Sequence, residues 1–220
     1  ALVWFGESIM GLGAVGAGIY AFFNRLLIPT GLHHALNNVF WFNLANINDI
    51  GKFWGSADPA SGAVIATGGF HPFGVYVTGI YQAGFFPIMM FALPAAAFAM
   101  MHEARDKVAA SVLPAAALTA FLTGVTEPLE FSFMFVAPLL YGLHALFTGV
   151  SMAVSYGLGA RDGFGFSAGL MDFVLNWGLA TKPALIIPVG LVFAVIYYVI
   201  FSWAIRHFDI PTIGRYDEEA

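Results

Sequence analysis

Thr123-Gly124-Val125-Thr126-Glu127-Pro128-Leu129-Glu130-Phe131 sets two carboxylates and a proline inside an apolar run. Val108 to Leu122 precedes it, with one Ser and one Thr as its polar side chains. Phe131 to Tyr156 follows, without Asp, Glu, Lys or Arg. An ionisable side chain at bilayer depth costs several kcal/mol unless it faces protein or water. Gly124 and Pro128 also interrupt helical hydrogen bonding, and lipid offers the freed groups no partner. The break is therefore expected to be buried in protein or to line a cavity. Glu127 becomes a candidate ligand group at a site within the membrane.

The wider composition agrees. The chain is 60% hydrophobic and 10% charged, with a mean hydropathy of +0.81, whereas about a quarter of a soluble domain is charged. An all-α polytopic membrane protein is expected, with the bilayer as its surroundings. No basic tract points to nucleic acid, and the absence of Cys excludes disulfide and thiolate chemistry. The chain enters an apolar segment almost at once from Ala1 and shows no signal-peptide pattern. That start is expected of a fragment or processed chain whose earlier spans lie elsewhere. Residues 1–206 read as one membrane unit, and residues 207–220 as a hydrophilic tail or linker.

A spanning helix needs ~20 mostly apolar residues. Phe131 to Leu158 and Pro183 to Trp203 are the clearest spans. Ile9 to Phe23, Pro72 to Met101, Val108 to Leu122 and Phe164 to Ala180 are short or interrupted by Gly and Pro. Such pieces are the pattern of broken helices and re-entrant hairpins in transporters. Leu93-Pro94-Ala95-Ala96-Ala97 recurs as Leu113-Pro114-Ala115-Ala116-Ala117, which suits Pro near a helix start. Asn43 to Ser61 reads as a polar excursion on a membrane face. Arg105 and Lys107, and again Arg206 and Arg215, mark a loop and the C-terminus as cytoplasmic.

Arg25-Leu26-Leu27-Ile28-Pro29-Thr30-Gly31-Leu32-His33-His34 is the second constellation, followed by Asn37 and Asn38. Its Pro-Gly break would turn polar side chains toward a cavity. Adjacent histidines point about 100° apart on a helix and rarely share one metal ion. His144, alone in an apolar span, reads as a hydrogen-bonded packing residue, and Asp172 is divided between structural pairing and function. Gly11-Leu12-Gly13-Ala14-Val15-Gly16 fits the dinucleotide pattern but lacks the required strand, so it reads as close helix packing. Gly165-Phe166-Ser167-Ala168-Gly169 fits a nucleophile elbow without the α/β sheet that motif needs. Phe85 to Phe91 reads as an apolar wall or gate. A carboxylate, a guanidinium, imidazoles and amides bond hydroxyls, while aromatics cover an apolar sugar face. The set suits a neutral polyhydroxylated solute and supplies no catalytic group, cofactor site or metal centre.

These residues resemble the membrane subunit, enzyme IIC, of the sugar phosphotransferase system, in its glucose/N-acetylglucosamine superfamily. The family's Gly-Ile/Val-Thr-Glu-Pro-Ile/Leu-Glu-Phe stands as Gly124 to Phe131, and its Arg-x-Leu-x-Pro-x-Gly-Leu-His-His as Arg25 to His34. Phe85 to Ala97 and Pro211 to Arg215 are also similar. Asn24 to His33, Phe85 to Phe91 and Thr126 to Phe131 look most like N-acetylglucosamine permeases, with glucose the next substrate. Asp58 to Tyr81 fits less well, and Ala92 stands where Gly is usual.

The resemblance implies Glu127 and His33 on sugar hydroxyls, Arg25 and Thr126 beside them, and His34, Asn37 and Asn38 as further contacts. It implies a homodimer through helices absent from this chain, alternating access by rigid movement, and the cytoplasmic (inner) membrane of a bacterium. It also implies a phosphorylated IIB partner, because the phosphoryl-carrying Cys belongs to IIB. The rival expectation is a proton-coupled secondary transporter that uses Glu127.

Overall fold

The computed structural model describes residues 1–41, 79–178, 180 and 182–216, and its regular elements there are all helical. Helix α1 (Leu2–Met10) ends where Gly11-Leu12-Gly13 turns the chain, and α2 (Ala14–Leu26) starts after Gly13 at φ 60°. The single span expected over Ile9 to Phe23 is thus two helices. A Cβ on Gly16 would lie 1.9 Å from the Ile9 carbonyl oxygen, and one on Gly18 would lie 2.9 Å from that of Gly149. Of the apparent dinucleotide motif, Gly16 therefore serves close packing and Gly13 the turn. A 3₁₀ turn at Ile28–Thr30 and Gly31 (φ 73°) separates α2 from α3 (His33–Phe40). The polar excursion over Asn43 to Ser61, and nearly all of Asp58 to Tyr81, lie outside the described residues.

After the turns at residues 79–84, a π-helical stretch, Pro87–Ala92, runs into α4 (Leu93–Glu103). Phe91 sits over Gly190, where a Cβ would meet its ring at 2.2 Å. Helix α5 (Val112–Thr123) follows a 3₁₀ turn at Ala109–Ser111 and stops at Gly124, whose φ of 75° is the left-handed cap that glycine adopts without strain. The two Leu-Pro-Ala-Ala-Ala copies thus lie at the starts of helices that pack on each other. Helix α6 (Glu127–Met134) begins with Pro128 in its first turn. Glu127 and Glu130 lie in that turn too, where carboxylates complement the helix dipole.

Three residues separate the end of α6 from the start of α7 (Pro138–Gly157). The clean span expected over Phe131 to Leu158 is therefore broken, because Pro138 has no N–H to continue the ladder. Helix α8 (Leu170–Leu175) is the only α-helical part described in the expected segment Phe164 to Ala180. Helix α9 (Ile186–Phe208), preceded by a 3₁₀ turn at Pro183–Leu185, outruns its expected end at Trp203. Helices α7 and α9 are long and apolar enough to cross a membrane. Phe193, Tyr197 and Phe201 of α9, four residues apart, face inward and are buried, while Leu191, Val195 and Val199 are exposed. That apolar outer face suits lipid.

Among the described residues two apolar clusters form the core. One joins α4 to α6 and α9 through Leu93, Phe133, Tyr197 and Phe201. The other joins α2, α3 and the 80–90 segment through Tyr20, Phe40, Phe85 and Phe86. At one end of the molecule Glu103 pairs with Arg206 at 2.9 Å, and Arg215 reaches Asp209 at 3.1 Å. The Gly214 carbonyl accepts the N–H groups of Arg105 and Asp106, both at 2.8 Å. The two basic segments read as cytoplasmic are therefore side by side.

Candidate functional site

The break between α5 and α6 is held open by backbone contact with a second loop. A Cβ on Gly169 would lie 2.4 Å from both the Gly124 nitrogen and the Thr123 carbonyl carbon. Only a glycine lets the two backbone segments approach so closely. Ser167 adds a tether, its Oγ donating to the Gly124 carbonyl at 2.9 Å. Asp172 shapes the same loop by accepting the N–H groups of Gly165 (3.1 Å) and Ser167 (3.2 Å). Asp172 thus acts in loop anchoring, and Ser167 spends its hydroxyl proton on a structural bond instead of facing a general base.

Between this corner and α2–α3 lies a cavity of about 350 Å³, within the ~300–1,000 Å³ range of small-molecule sites. Asn24 and Arg25 reach it from α2, and His33, His34, Asn37 and Asn38 from α3. Gly124 and Glu127 border it at the corner, and Phe164 to Ser167 close another side. Trp41, Met89, Phe164 and Phe166 give it apolar surface. Polar groups converge on an aromatic-flanked space, a combination that binds hydroxyls at ring edges and covers a ring face.

Several of these groups are fixed before any ligand arrives. Asn37 Oδ1 accepts from Tyr20 (3.0 Å) and Asn24 (2.6 Å), so its Nδ2 donors are the groups left for a ligand. The rings of His33 and His34 lie with centroids 4.0 Å apart, tilted by 36°. His33 Nδ1 is buried without a hydrogen-bond partner. Asn38 donates to the His34 carbonyl at 3.0 Å.

Behind the wall lies a buried charge network. Arg25 Nη1 pairs with Glu130 Oε1 at 2.7 Å, the two side chains being 5% and 0% exposed. Thr126 donates to the same oxygen at 3.2 Å, and His144 Nε2 lies 3.1 Å from it. His144 Nδ1 is 2.8 Å from the Tyr197 hydroxyl, and Tyr141 donates to the Arg25 carbonyl. The Arg25 guanidinium also lies 4.9 Å from the centre of the Phe85 ring, a cation–π distance. A buried charge must be paired and hydrogen-bonded, and Glu130 meets that requirement at Oε1 through Arg25 of α2, His144 of α7 and Thr126, while its Oε2 is buried without a hydrogen-bond partner.

The structure brings Arg25, His33, His34, Asn37, Asn38 and Glu127 to one cavity. It turns Thr126, 1% exposed, away to Glu130. Sequence reasoning gave Glu130 no role, although an acid in an uncharged span must have a partner. His144 is buried and hydrogen-bonded as expected, but its partners were not foreseen. Of the Phe85 to Phe91 wall, Phe85 and Phe86 are fully buried, while Met89 reaches the cavity.

The sequence matches the family model "Phosphotransferase system, EIIC" over residues 1–149. It is 53% identical over 219 residues to the N-acetylglucosamine-specific EIIC component of Streptomyces coelicolor, covering 98% of this chain and 50% of that protein. The N-acetylglucosamine-specific EIICB component of Bacillus subtilis is 46% identical, with 98% and 45% covered. The corresponding EIICBA component of Escherichia coli is 47% identical, with 97% and 33% covered. The chain thus spans about half the length, or less, of the curated relatives it matches.

Proposed function

Since the chain belongs to the EIIC family of the phosphotransferase system, we propose that it is the sugar-binding part of a permease that imports N-acetylglucosamine. The observation that carries this reading is the single cavity where Glu127, Arg25, His33 and the amides of α3 face Trp41, Phe164 and Phe166. Glu127, exposed to the cavity, accepts sugar hydroxyls. His33, with its unpartnered nitrogen, and the amides of Asn37 and Asn38 bond the remaining polar edge. The aromatic side chains cover the apolar ring face.

The wider assignment follows from the same reading. The EIICB and EIICBA names of relatives support a phosphorylated IIB partner that modifies the sugar after it crosses. The broken helices around residues 124 and 169 are two re-entrant elements meeting tip to tip. The basic end formed by Arg105, Lys107, Arg206 and Arg215 faces the cytoplasm, with the protein multi-pass in the bacterial inner membrane and dimeric there.

Equilibrium binding to the purified protein tests the site. N-acetylglucosamine binds more tightly than glucose or maltose, and Glu127→Gln loses that binding while still folding. Preference for another sugar would keep the cavity and change the substrate. Uptake that proceeds without phosphoenolpyruvate, driven by a proton gradient, would overturn the phosphotransferase reading.

A further inference from the structure

An arginine in a sugar cavity creates a difficulty for a protein whose solute leaves phosphorylated. Guanidinium is the preferred side chain for bidentate phosphate recognition. A free Arg25 fork would hold the phosphorylated sugar as well as, or better than, the neutral one. The structure shows Arg25 engaged at Nη1 and covered on one face, with its Nε buried without a partner. Its Nη1 is bonded to Glu130 at 2.7 Å, and Phe85 lies under its face. Glu130 is fully buried and does not line the cavity. It contributes charge there without offering a contact to the solute. Thr126 and His144 hold its carboxylate in place. Arg25 and Glu130 cancel, so Glu127 leaves the cavity with a formal charge of −1.

We propose that Glu130 is a specificity-determining residue which acts through Arg25: it masks the guanidinium, so the cavity accepts the neutral sugar and rejects its phosphorylated form. This rests on the sugar-site reading above. Glu130 is thus a positioning residue, and its role differs from that of a merely structural ion pair. A structural pair would affect stability and sugar affinity together. The mask affects the ratio of sugar to sugar-phosphate affinity.

The test measures equilibrium binding of N-acetylglucosamine and N-acetylglucosamine 6-phosphate to the intact protein in detergent. The unaltered protein binds the 6-phosphate at least about tenfold more weakly than the sugar. Glu130→Gln frees the fork and gains about tenfold or more in 6-phosphate affinity, a gain that salt weakens. The milder Glu130→Asp retracts the carboxylate by one methylene and gains about threefold. The double variant Arg25→Gln/Glu130→Gln removes both charges and excludes the 6-phosphate again. Comparable binding of sugar and 6-phosphate to the unaltered protein overturns the mask. So does an unchanged 6-phosphate affinity in Glu130→Asp or in a folded Glu130→Gln. If the folded, unaltered protein binds no sugar at all, the sugar-site reading fails and takes this inference with it. Sugar binding without the predicted gain sinks only the mask.

Discussion

Gly169→Ala tests the corner on which the cavity is built. Gly169 has φ −121° and ψ 177°, a conformation open to alanine, so backbone strain plays no part. The cost is steric. The new Cβ would stand 2.4 Å from the Gly124 nitrogen and the Thr123 carbonyl carbon, and 2.7 Å from the Leu122 oxygen. All three are backbone atoms, so no side-chain rotation relieves the contact. Overpacking of this kind costs about 1–3 kcal/mol. The natural control is Gly142→Ala within α7, where a Cβ meets nothing within 4 Å. Exchanging Gly for Ala in a helix there gains about 0.5–1 kcal/mol. The two substitutions have the same chemistry and opposite expected signs. Thermal unfolding in detergent, followed by tryptophan fluorescence, reads both. Gly169→Ala also pushes the 165–167 loop from Glu127, so N-acetylglucosamine affinity falls about tenfold for each ~1.4 kcal/mol of misplacement. A Gly169→Ala protein that melts at or above the unaltered midpoint refutes the backbone contact.

Other substitutions probe separate links. Glu127→Gln removes a charge-assisted hydrogen bond of about 1.5–3 kcal/mol, so calorimetry should show N-acetylglucosamine binding about 10–150-fold weaker; unchanged affinity would remove Glu127 from the site. Gly149→Val forces a side chain to within 2.7 Å of the Gly18 carbonyl oxygen. It should lower stability by about 1–3 kcal/mol, with no loss if α2 and α7 do not cross there. His144→Phe leaves Glu130 and Tyr197 each short of a partner and should cost about 1–3 kcal/mol. Tyr197→Phe should cost less, and the reverse order would contradict the network. Arg215→Ala removes a buried guanidinium that donates to the Glu103 carbonyl and to Asp209, both at 3.1 Å; it should cost about 1–3 kcal/mol and be visible as faster amide exchange at residues 210–216.

The Thr-Glu-Pro break and helix α9 were legible in the sequence because each rests on a local rule. Pro128 cannot sit inside a continuous ladder and Gly124 favours a helix stop, while Pro183 to Trp203 carries no charged residue and is broken only by Pro188 and Gly190 near its start. The break at residues 135–137 was equally local, since Pro138 marks it, yet the apolar run around it masked the signal. The Gly11–Gly13 turn was hidden the same way, as a small-residue stripe fits both a bend and a packing face. The roles of the two acids were not legible. Glu127 and Glu130 lie one turn apart, and which one faces solvent-accessible space depends on Arg25, 105 residues earlier in the chain. His144 shows the same boundary. Its burial followed from its apolar surroundings, whereas its bonds to Glu130 and Tyr197 depend on how α6, α7 and α9 pack.

The Arg25–Glu130–His144–Tyr197 chain draws one group from each of α2, α6, α7 and α9. Pulling any one of these helices away strands a charge or a polar group in an apolar interior. Breaking a buried pair in this way costs about 3–5 kcal/mol. A conformer with its walls peeled apart would then hold less than about one molecule in a hundred. Gates that open by splaying a single helix are disfavoured on that count. Any rearrangement here is therefore expected to move these four helices as a single block, with α3 and α4 tied to it through the Asn24–Asn37 and Glu103–Arg206 contacts.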